Sequence, residues 1–150
     1  MSIALLDVNT LIALLWRPHR HHLPALEWFK ASEKKGWATC AITQLAFVRI
    51  VSSRAFANES PSLAEATALL HRNIESPYHH FLIDDLSFPE AAAAIGERIS
   101  GHQQTTDAYL LALAIHHRGH LVTFDRGITT LLPESRRKSG LVVTLSGHSS

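Results

Sequence analysis

Three aspartates stand where a carboxylate could take part in chemistry. Asp7 follows a short apolar run that predicts a buried strand, and Asp125 closely follows a second such run near the end of the chain. Asp107 lies in the first turn of a predicted helix, where a negative charge is favoured. Because functional groups in α/β proteins gather where strands end and helices begin, these three side chains are expected to converge.

Converging carboxylates favour a hard divalent cation. Carboxylates a few ångströms apart repel one another, and one of them takes up a proton unless a positive charge compensates. Mg²⁺ and Mn²⁺ prefer oxygen ligands and are commonly held by carboxylates together with a substrate phosphate. Such an ion polarises a phosphoryl oxygen, so hydrolysis of phosphodiester bonds is the reaction class that Asp7, Asp107 and Asp125 suggest. The alternative is that these are ordinary loop and cap aspartates.

The rest of the chain must supply the elements that hold these groups. Short apolar runs predict strands at residues 3–6, 37–42, 80–83, 120–123 and 141–145. Capping residues and 3.6-residue periodicity predict six helices. The first begins at Val8, the next two cover residues 23–35 and 44–51, and two more begin at Ser62 and Ser87. The last begins at a cap, Thr105 or Thr106, and is expected to end at Gly119. This alternation predicts an α/β fold, a parallel sheet with helices on both faces.

Composition sets the remaining limits. The chain has 150 residues, 46% of them hydrophobic, and a net charge of +1, so one domain over 1–150 is expected, with residues 146–150 as a frayed tail. The single Cys40 and the lack of a long apolar segment predict a soluble, cytoplasmic protein without membrane contact. Eleven histidines include the pair at 116 and 117, which we interpret as surface histidines because no acidic partner stands at ligand spacing.

Three segments resemble a known family. The runs Leu5 to Leu14, Thr43 to Arg49, and Thr106 to Ala114 together with Thr123 to Gly127 resemble the PIN-domain nucleases, and more closely the VapC toxins of bacterial toxin–antitoxin pairs. The resemblance implies a parallel sheet of about five strands and an endoribonuclease dependent on Mg²⁺ or Mn²⁺. It also implies an RNA substrate such as tRNA or rRNA, a homodimer, and a small VapB-type antitoxin.

The resemblance also assigns roles to residues. Asp7, Asp107 and Asp125 fall on the metal-binding acids of the family, and Asn9 with Thr105 or Thr123 would hold those acids or a bound water.

One position departs from the family. Where the family usually has a glutamate, at the start of the helix after the second strand, this chain has Gln44. A carboxamide can coordinate through its oxygen but carries no charge and cannot act as a base. We therefore expect weaker metal affinity than in a site with four acids.

Positive groups around the acids are the candidates for binding RNA. Arg49 and Arg54 flank the third predicted helix, and His102 precedes Asp107 by five residues. A further basic run, residues 17–22, follows the first helix. Contacts from such groups to phosphates would make binding depend on salt.

Two other functions stay open from the sequence. A PIN-like module that binds RNA or a protein without cleaving is permitted by Gln44, although three aspartates are retained. A phosphatase that forms an aspartyl phosphate on Asp7 is disfavoured, because the general-acid aspartate expected two residues later is replaced by Asn9.

Overall fold

A five-stranded, wholly parallel sheet forms the centre of the computed structural model, which describes residues 2–53, 58–95, 99 and 101–147. The strands are β1 (Ala4–Leu6), β2 (Trp37–Cys40), β3 (His79–Leu82), β4 (His120–Thr123) and β5 (Val142–Thr144). Their order across the sheet is β3-β2-β1-β4-β5. The chain winds outward from β1 in both directions, so the strand order reverses between β1 and β4. In doubly wound sheets this switch point is where functional sites form.

Six helices complete the described fold. They are α1 (Val8–Leu15), α2 (His22–Ser32), α3 (Ala41–Val51), α4 (Leu63–Ile74), α5 (Phe88–Ile95) and α6 (Thr105–His116). The predicted α/β class with helices on both faces and about five parallel strands is confirmed. Within the described residues, no helix is long and apolar enough to cross a membrane.

Alternation along the strands divides the core between the two faces of the sheet. Leu5 packs with α5 and α6 on one face, while its neighbours Ala4 and Leu6 pack with α1 to α4 on the other. Helix α6 contributes an uninterrupted buried run from Ala108 to Ala114 to the first face. Removing a large side chain from such a position costs about 2–5 kcal/mol, so the helix that carries Asp107 is firmly anchored.

The first turns of two helices differ from the prediction. Helix α3 begins at Ala41 instead of Gln44, because Cys40 is the N-cap and the Thr43 hydroxyl accepts the N–H of Cys40 at 3.0 Å. Thr43 is thus the third residue of a capping box and not the cap. Because Ala41 and Ile42 are apolar, the predicted second strand included two residues that belong to the helix. Helix α6 has Gln104 as its N-cap, so the expected caps Thr105 and Thr106 lie inside the helix.

The end of α6 follows a Schellman motif in which glycine has an unexpected place. The N–H of Gly119 bonds to the carbonyl of Ala114 at 2.7 Å, and the N–H of Arg118 to that of Ile115 at 2.9 Å. The left-handed residue is Arg118, with φ of 61°, and not the predicted stop Gly119. Gly119 is required for another reason, because a Cβ there would lie 2.4 Å from the carbonyl oxygen of Ile3.

The remaining helix and strand boundaries agree with the predicted ones within a few residues. Strand β4 and the capping box of Ser62 with Glu65 are confirmed as predicted. Helix α2 ends at Ser32 and a short 3-10 helix covers residues 33–35, so the predicted single helix is divided. The predicted extension of α5 to about Ile99 falls mostly on residues 96–98, which lie outside the described part.

Candidate active site

Asp7 is a buried carboxylate fixed by the backbone of α1. It directly follows β1 and is the N-cap of α1, where its Oδ1 accepts the N–H of Thr10 at 2.9 Å. Only 4% of the residue is exposed. Burial raises the pKa of Asp7, while hydrogen bonds from Thr123 and Thr10 oppose that effect. The carboxyl group at the N-terminus of α1 is therefore subject to opposing effects, with burial disfavouring its ionised form and the hydrogen bonds favouring it.

Thr123 connects the two aspartates that follow adjacent strands. Its hydroxyl donates to Oδ2 of Asp7 at 2.5 Å and accepts the N–H of Asp125 at 2.9 Å. Oδ1 of Asp125 in turn accepts the N–H of Gly127 at 2.7 Å, which closes the turn after β4. Thr123 thus has the supporting position that the family resemblance implied, and it is fully buried.

Asp107 brings a third carboxyl group to this edge from the first turn of α6. Burial and the nearby charges of Asp7 and Asp125 raise its pKa to about 6. Asp125 also contributes to raising the pKa of Asp7. Each of these effects requires proximity, so the structure brings together the three aspartates that the sequence analysis selected.

The three carboxyl groups fit a hard divalent cation. All the donor atoms are oxygens, and Asp7 is almost fully buried. Burial together with repulsion from Asp7 and Asp125 raises the pKa of Asp107 to about 6. Among the described residues, no lysine or arginine forms an ion pair with Asp7, Asp107 or Asp125. A divalent cation would supply the missing positive charge.

An open pocket of about 410 Å³ lies beside Asp125. Asn9, Phe124 and a basic run after α1, formed by His19, Arg20 and His21, line it together with Asp125. The ring of His21 stacks on Phe124 with centroids 4.9 Å apart, and Arg20 Nε donates to His21 Nε2 at 3.1 Å. The pocket thus places a guanidinium next to an acidic group, as a phosphate-binding enzyme needs.

Gln44 is hydrogen-bonded to a threonine of β2. Its Nε2 donates to the hydroxyl of Thr39 at 2.9 Å, and that hydroxyl lies 2.8 Å from Nε2 of His79. Burial and the neighbouring His80 lower the pKa of His79 to about 4, so the ring is neutral and can accept the threonine proton. Thr39 thus links the amide of Gln44 to the ring of His79, and the assignment of Gln44 to the catalytic site stays a prediction.

The other predicted site residues are more scattered. Asn9 is exposed in the pocket beside Asp125, whereas Thr105 is half-buried at the start of α6. Arg49 is exposed in the last turn of α3 and His102 is exposed just before α6. Arg54 lies outside the described residues. Phe124 was not predicted as a residue of the pocket, although it directly precedes Asp125 in the same motif.

Comparisons with known proteins agree with this geometry. Residues 4–131 match the PIN domain. Ribonuclease VapC44 of Mycobacterium tuberculosis is 43% identical over 137 residues, which cover 90% of this chain and 95% of that protein. Ribonuclease VapC38 of the same organism is 41% identical over 129 residues, or 86% and 89%. The crystal structure of FitAcB from Neisseria gonorrhoeae has a TM-score of 0.61 at 21% identity and covers 94% of this chain and 96% of that one, which supports the fold.

Proposed function

Because this chain belongs to the PIN domain family, we propose that it is a metal-dependent endoribonuclease and the toxin of a VapBC-type toxin–antitoxin pair. The observation that carries the proposal is the convergence of Asp7, Asp107 and Asp125 at the switch point of the sheet, with the pKa of Asp107 raised to about 6. The curated relatives named ribonuclease VapC support RNA as the substrate.

The three aspartates would hold Mg²⁺ or Mn²⁺. Such an ion, when bound, polarises a phosphoryl oxygen and activates water for attack on phosphorus. The short hydrogen bond from Thr123 to Oδ2 orients Asp7 and opposes the burial that raises its pKa. Asp107 must lose its proton before it can bind the ion, so cleavage should increase as the pH rises through about 6.

The pocket beside Asp125 would receive the RNA backbone. Arg20 is the exposed cation of that pocket, and the neighbouring His19 and His21 surround it. Burial lowers the pKa of both His19 and His21, with Arg20 contributing, so these rings are neutral near pH 7 and serve as hydrogen-bonding groups. Arg20 therefore supplies the positive charge for a phosphate contact. Arg49, Arg54 and His102 stay further candidates for such contacts.

The antitoxin is expected to be a small protein that covers apolar surface. A shallow groove of about 320 Å³ between α3, α4 and β3 exposes 67% of Leu45 and 50% of Phe81. An amphipathic helix places apolar side chains into such a groove. A basic side chain from the same partner, entering the acidic site, would replace the charge of the metal. We also expect a homodimer, as the family resemblance implies.

Cleavage of total RNA by the purified protein tests the proposal. Discrete fragments with Mg²⁺ or Mn²⁺ that disappear in EDTA and in Asp7→Asn would support it. The asparagine keeps the shape of the N-cap and can accept the N–H of Thr10, but it removes the charge. A folded Asp7→Asn protein that cleaves as well as wild type would contradict the assignment.

The second candidate is a PIN-like module that binds RNA or a protein without hydrolysis. The observation that favours it is Gln44, whose amide is already bonded to Thr39. RNA binding that is saturable but unaccompanied by cleavage with either metal would select this function.

A further inference from the structure

A second group of metal-ligating side chains lies at the far end of α6. His116 is the last residue of that helix, His117 follows it, and Asp85 belongs to the segment between β3 and α5. Nε2 of His117 lies 2.9 Å from Oδ1 of Asp85, and Nε2 of His116 lies 3.3 Å from the same oxygen. The sequence shows no acidic partner at ligand spacing and favours surface histidines at 116 and 117, but folding brings Asp85 to them from 31 residues away in the chain.

The spacing of the three ligand atoms fits coordination to a small metal ion. All three atoms lie within 4.8 Å of one another. In a tetrahedral zinc site with metal–ligand bonds of about 2.0–2.1 Å, ligand atoms are separated by about 3.3 Å. The separations of His117 Nε2 and His116 Nε2 from Asp85 Oδ1, 2.9 and 3.3 Å, differ from that value by only a few tenths of an ångström. The histidine rings stand at 88° to each other, so their nitrogens can approach from different directions.

Hydrogen bonding alone leaves this cluster poorly satisfied. Nε2 of His117 lies 2.9 Å from the carbonyl oxygen of Ile83 as well as 2.9 Å from Asp85. A single N–H cannot point well at two acceptors, and His116 needs the same carboxylate oxygen. A cation removes the competition, because nitrogen lone pairs and oxygens would all face the same positive centre.

Local electrostatics also favour a cation at this place. The carbonyl groups at the C-terminus of α6 carry partial negative charge. Asp84 and Asp85 follow β3, and burial together with the charges of both residues raises the pKa of Tyr109 on the same helix. Asp85 and the C-terminus of α6 thus place negative charge beside the two imidazoles.

We propose that Asp85, His116 and His117 form a binding site for a Zn²⁺-type transition-metal ion, with water in the remaining position. Imidazole nitrogen and carboxylate oxygen together suit Zn²⁺, Ni²⁺ or Cu²⁺ better than Mg²⁺. The site is separate from the three aspartates of the candidate active site, because the nine helical steps from Asp107 to His116 span roughly 14 Å.

The bound ion would fasten the segment after β3 to α6. The Tyr109 hydroxyl already donates to the carbonyl of Leu86 at 2.7 Å, which attaches the same segment further along the helix. A metal link at Asp85 adds a second attachment to the helix that carries Asp107. The expected effect is stabilisation of the folded chain by Zn²⁺.

Titration of the full chain with Zn²⁺, in millimolar Mg²⁺ to occupy the acidic site, tests this proposal. Stoichiometry and affinity are measured by calorimetry, and Co²⁺ absorption reports the ligand geometry. Asp85→Asn and His117→Gln should each weaken one site by at least about 10–100-fold, the range that loss of a supporting contact alone produces. The metal-induced rise in melting temperature should fall in parallel.

His71→Gln is the matched control. His71 is also exposed and also pairs with a carboxylate, Glu75 at 2.8 Å, but no third ligand joins that pair among the residues that the structure describes. The control should bind zinc with wild-type affinity. In the absence of metal, all variants should have the melting temperature of the wild type. Equal zinc binding by wild type, Asp85→Asn and His117→Gln would overturn the proposal, as would an equal loss in His71→Gln, which would indicate general binding to surface histidines.

Discussion

Replacing Thr123 by valine removes one hydroxyl from the centre of the acidic cluster and keeps the shape of the side chain. The hydroxyl donates to Asp7 at 2.5 Å and accepts the N–H of Asp125 at 2.9 Å, so both partners lose a bond. Hydrogen bonds to charged groups contribute about 1.5–3 kcal/mol, and a buried group left unpaired costs a comparable amount. Because the N–H of Asp125 is only partly buried, we expect a total loss of roughly 2–4 kcal/mol in unfolding free energy.

The same substitution should shift the pH dependence of the site. The bond from Thr123 opposes the burial that raises the pKa of Asp7. Losing that bond should raise the pKa of Asp7 further, because the ionised carboxylate loses its donor. The acid limb of metal-dependent RNA cleavage should therefore move to higher pH in Thr123→Val.

Urea denaturation at pH 8 and cleavage rates from pH 5 to 9 measure these two effects. Thr123→Ser is the control, because it keeps the hydroxyl and loses only a methyl group, which costs about 1 kcal/mol. The serine variant should keep the wild-type pH profile. If valine and serine variants had the same stability and the same pH profile, the role assigned to the Thr123 hydroxyl would be refuted.

Further predictions concern the other parts of the fold and site. In the metal-free protein, the pKa of Asp107 is raised to about 6 from an ordinary 3.8, so the folded state holds the extra proton and stability should fall as pH rises from about 4 to 6. Asp107→Asn should flatten that slope in thermal melts at successive pH values. Gln44→Glu should bind Mn²⁺ more tightly than wild type, and equal affinity by calorimetry would remove Gln44 from the site. Arg20→Gln should weaken RNA binding and reduce the slope of log affinity against log salt by about one, whereas an unchanged slope would exclude a phosphate contact. Arg118→Gly should stabilise the protein by about 1 kcal/mol because it relieves the left-handed backbone. Gly119→Ala should destabilise it because of the contact with Ile3, and chemical denaturation distinguishes the two signs.

Local signals in the sequence were enough to select the acidic site. Asp7, Asp107 and Asp125 each stand at the end of an apolar strand or the start of a helix, and those positions depend on periodicity and capping within a few residues. The capping box at Ser62 could likewise be predicted, because all of its atoms belong to one turn of the chain. The α/β class followed from the alternation of such local elements.

The ends of helices and strands could not be predicted from the sequence where two local patterns compete for the same residues. Ala41 and Ile42 suit a strand by composition, but the hydrogen bond between Cys40 and Thr43 starts the helix earlier. Gly119 suits a helix stop, yet the space beside Ile3 and not backbone conformation is what requires glycine there.

Tertiary structure alone decided which distant groups meet. The order of β1 and β4 places Thr123 between Asp7 and Asp125, and the return of the chain after β3 brings Asp85 to His116 and His117. It also gave the amide of Gln44 a partner, Thr39, that sequence spacing did not suggest. Sequence by itself determined the acids and the elements that carry them, because those signals are local. The partners of each group were decided by the packed sheet, because contacts between residues far apart along the chain depend on how strands and helices are arranged in space.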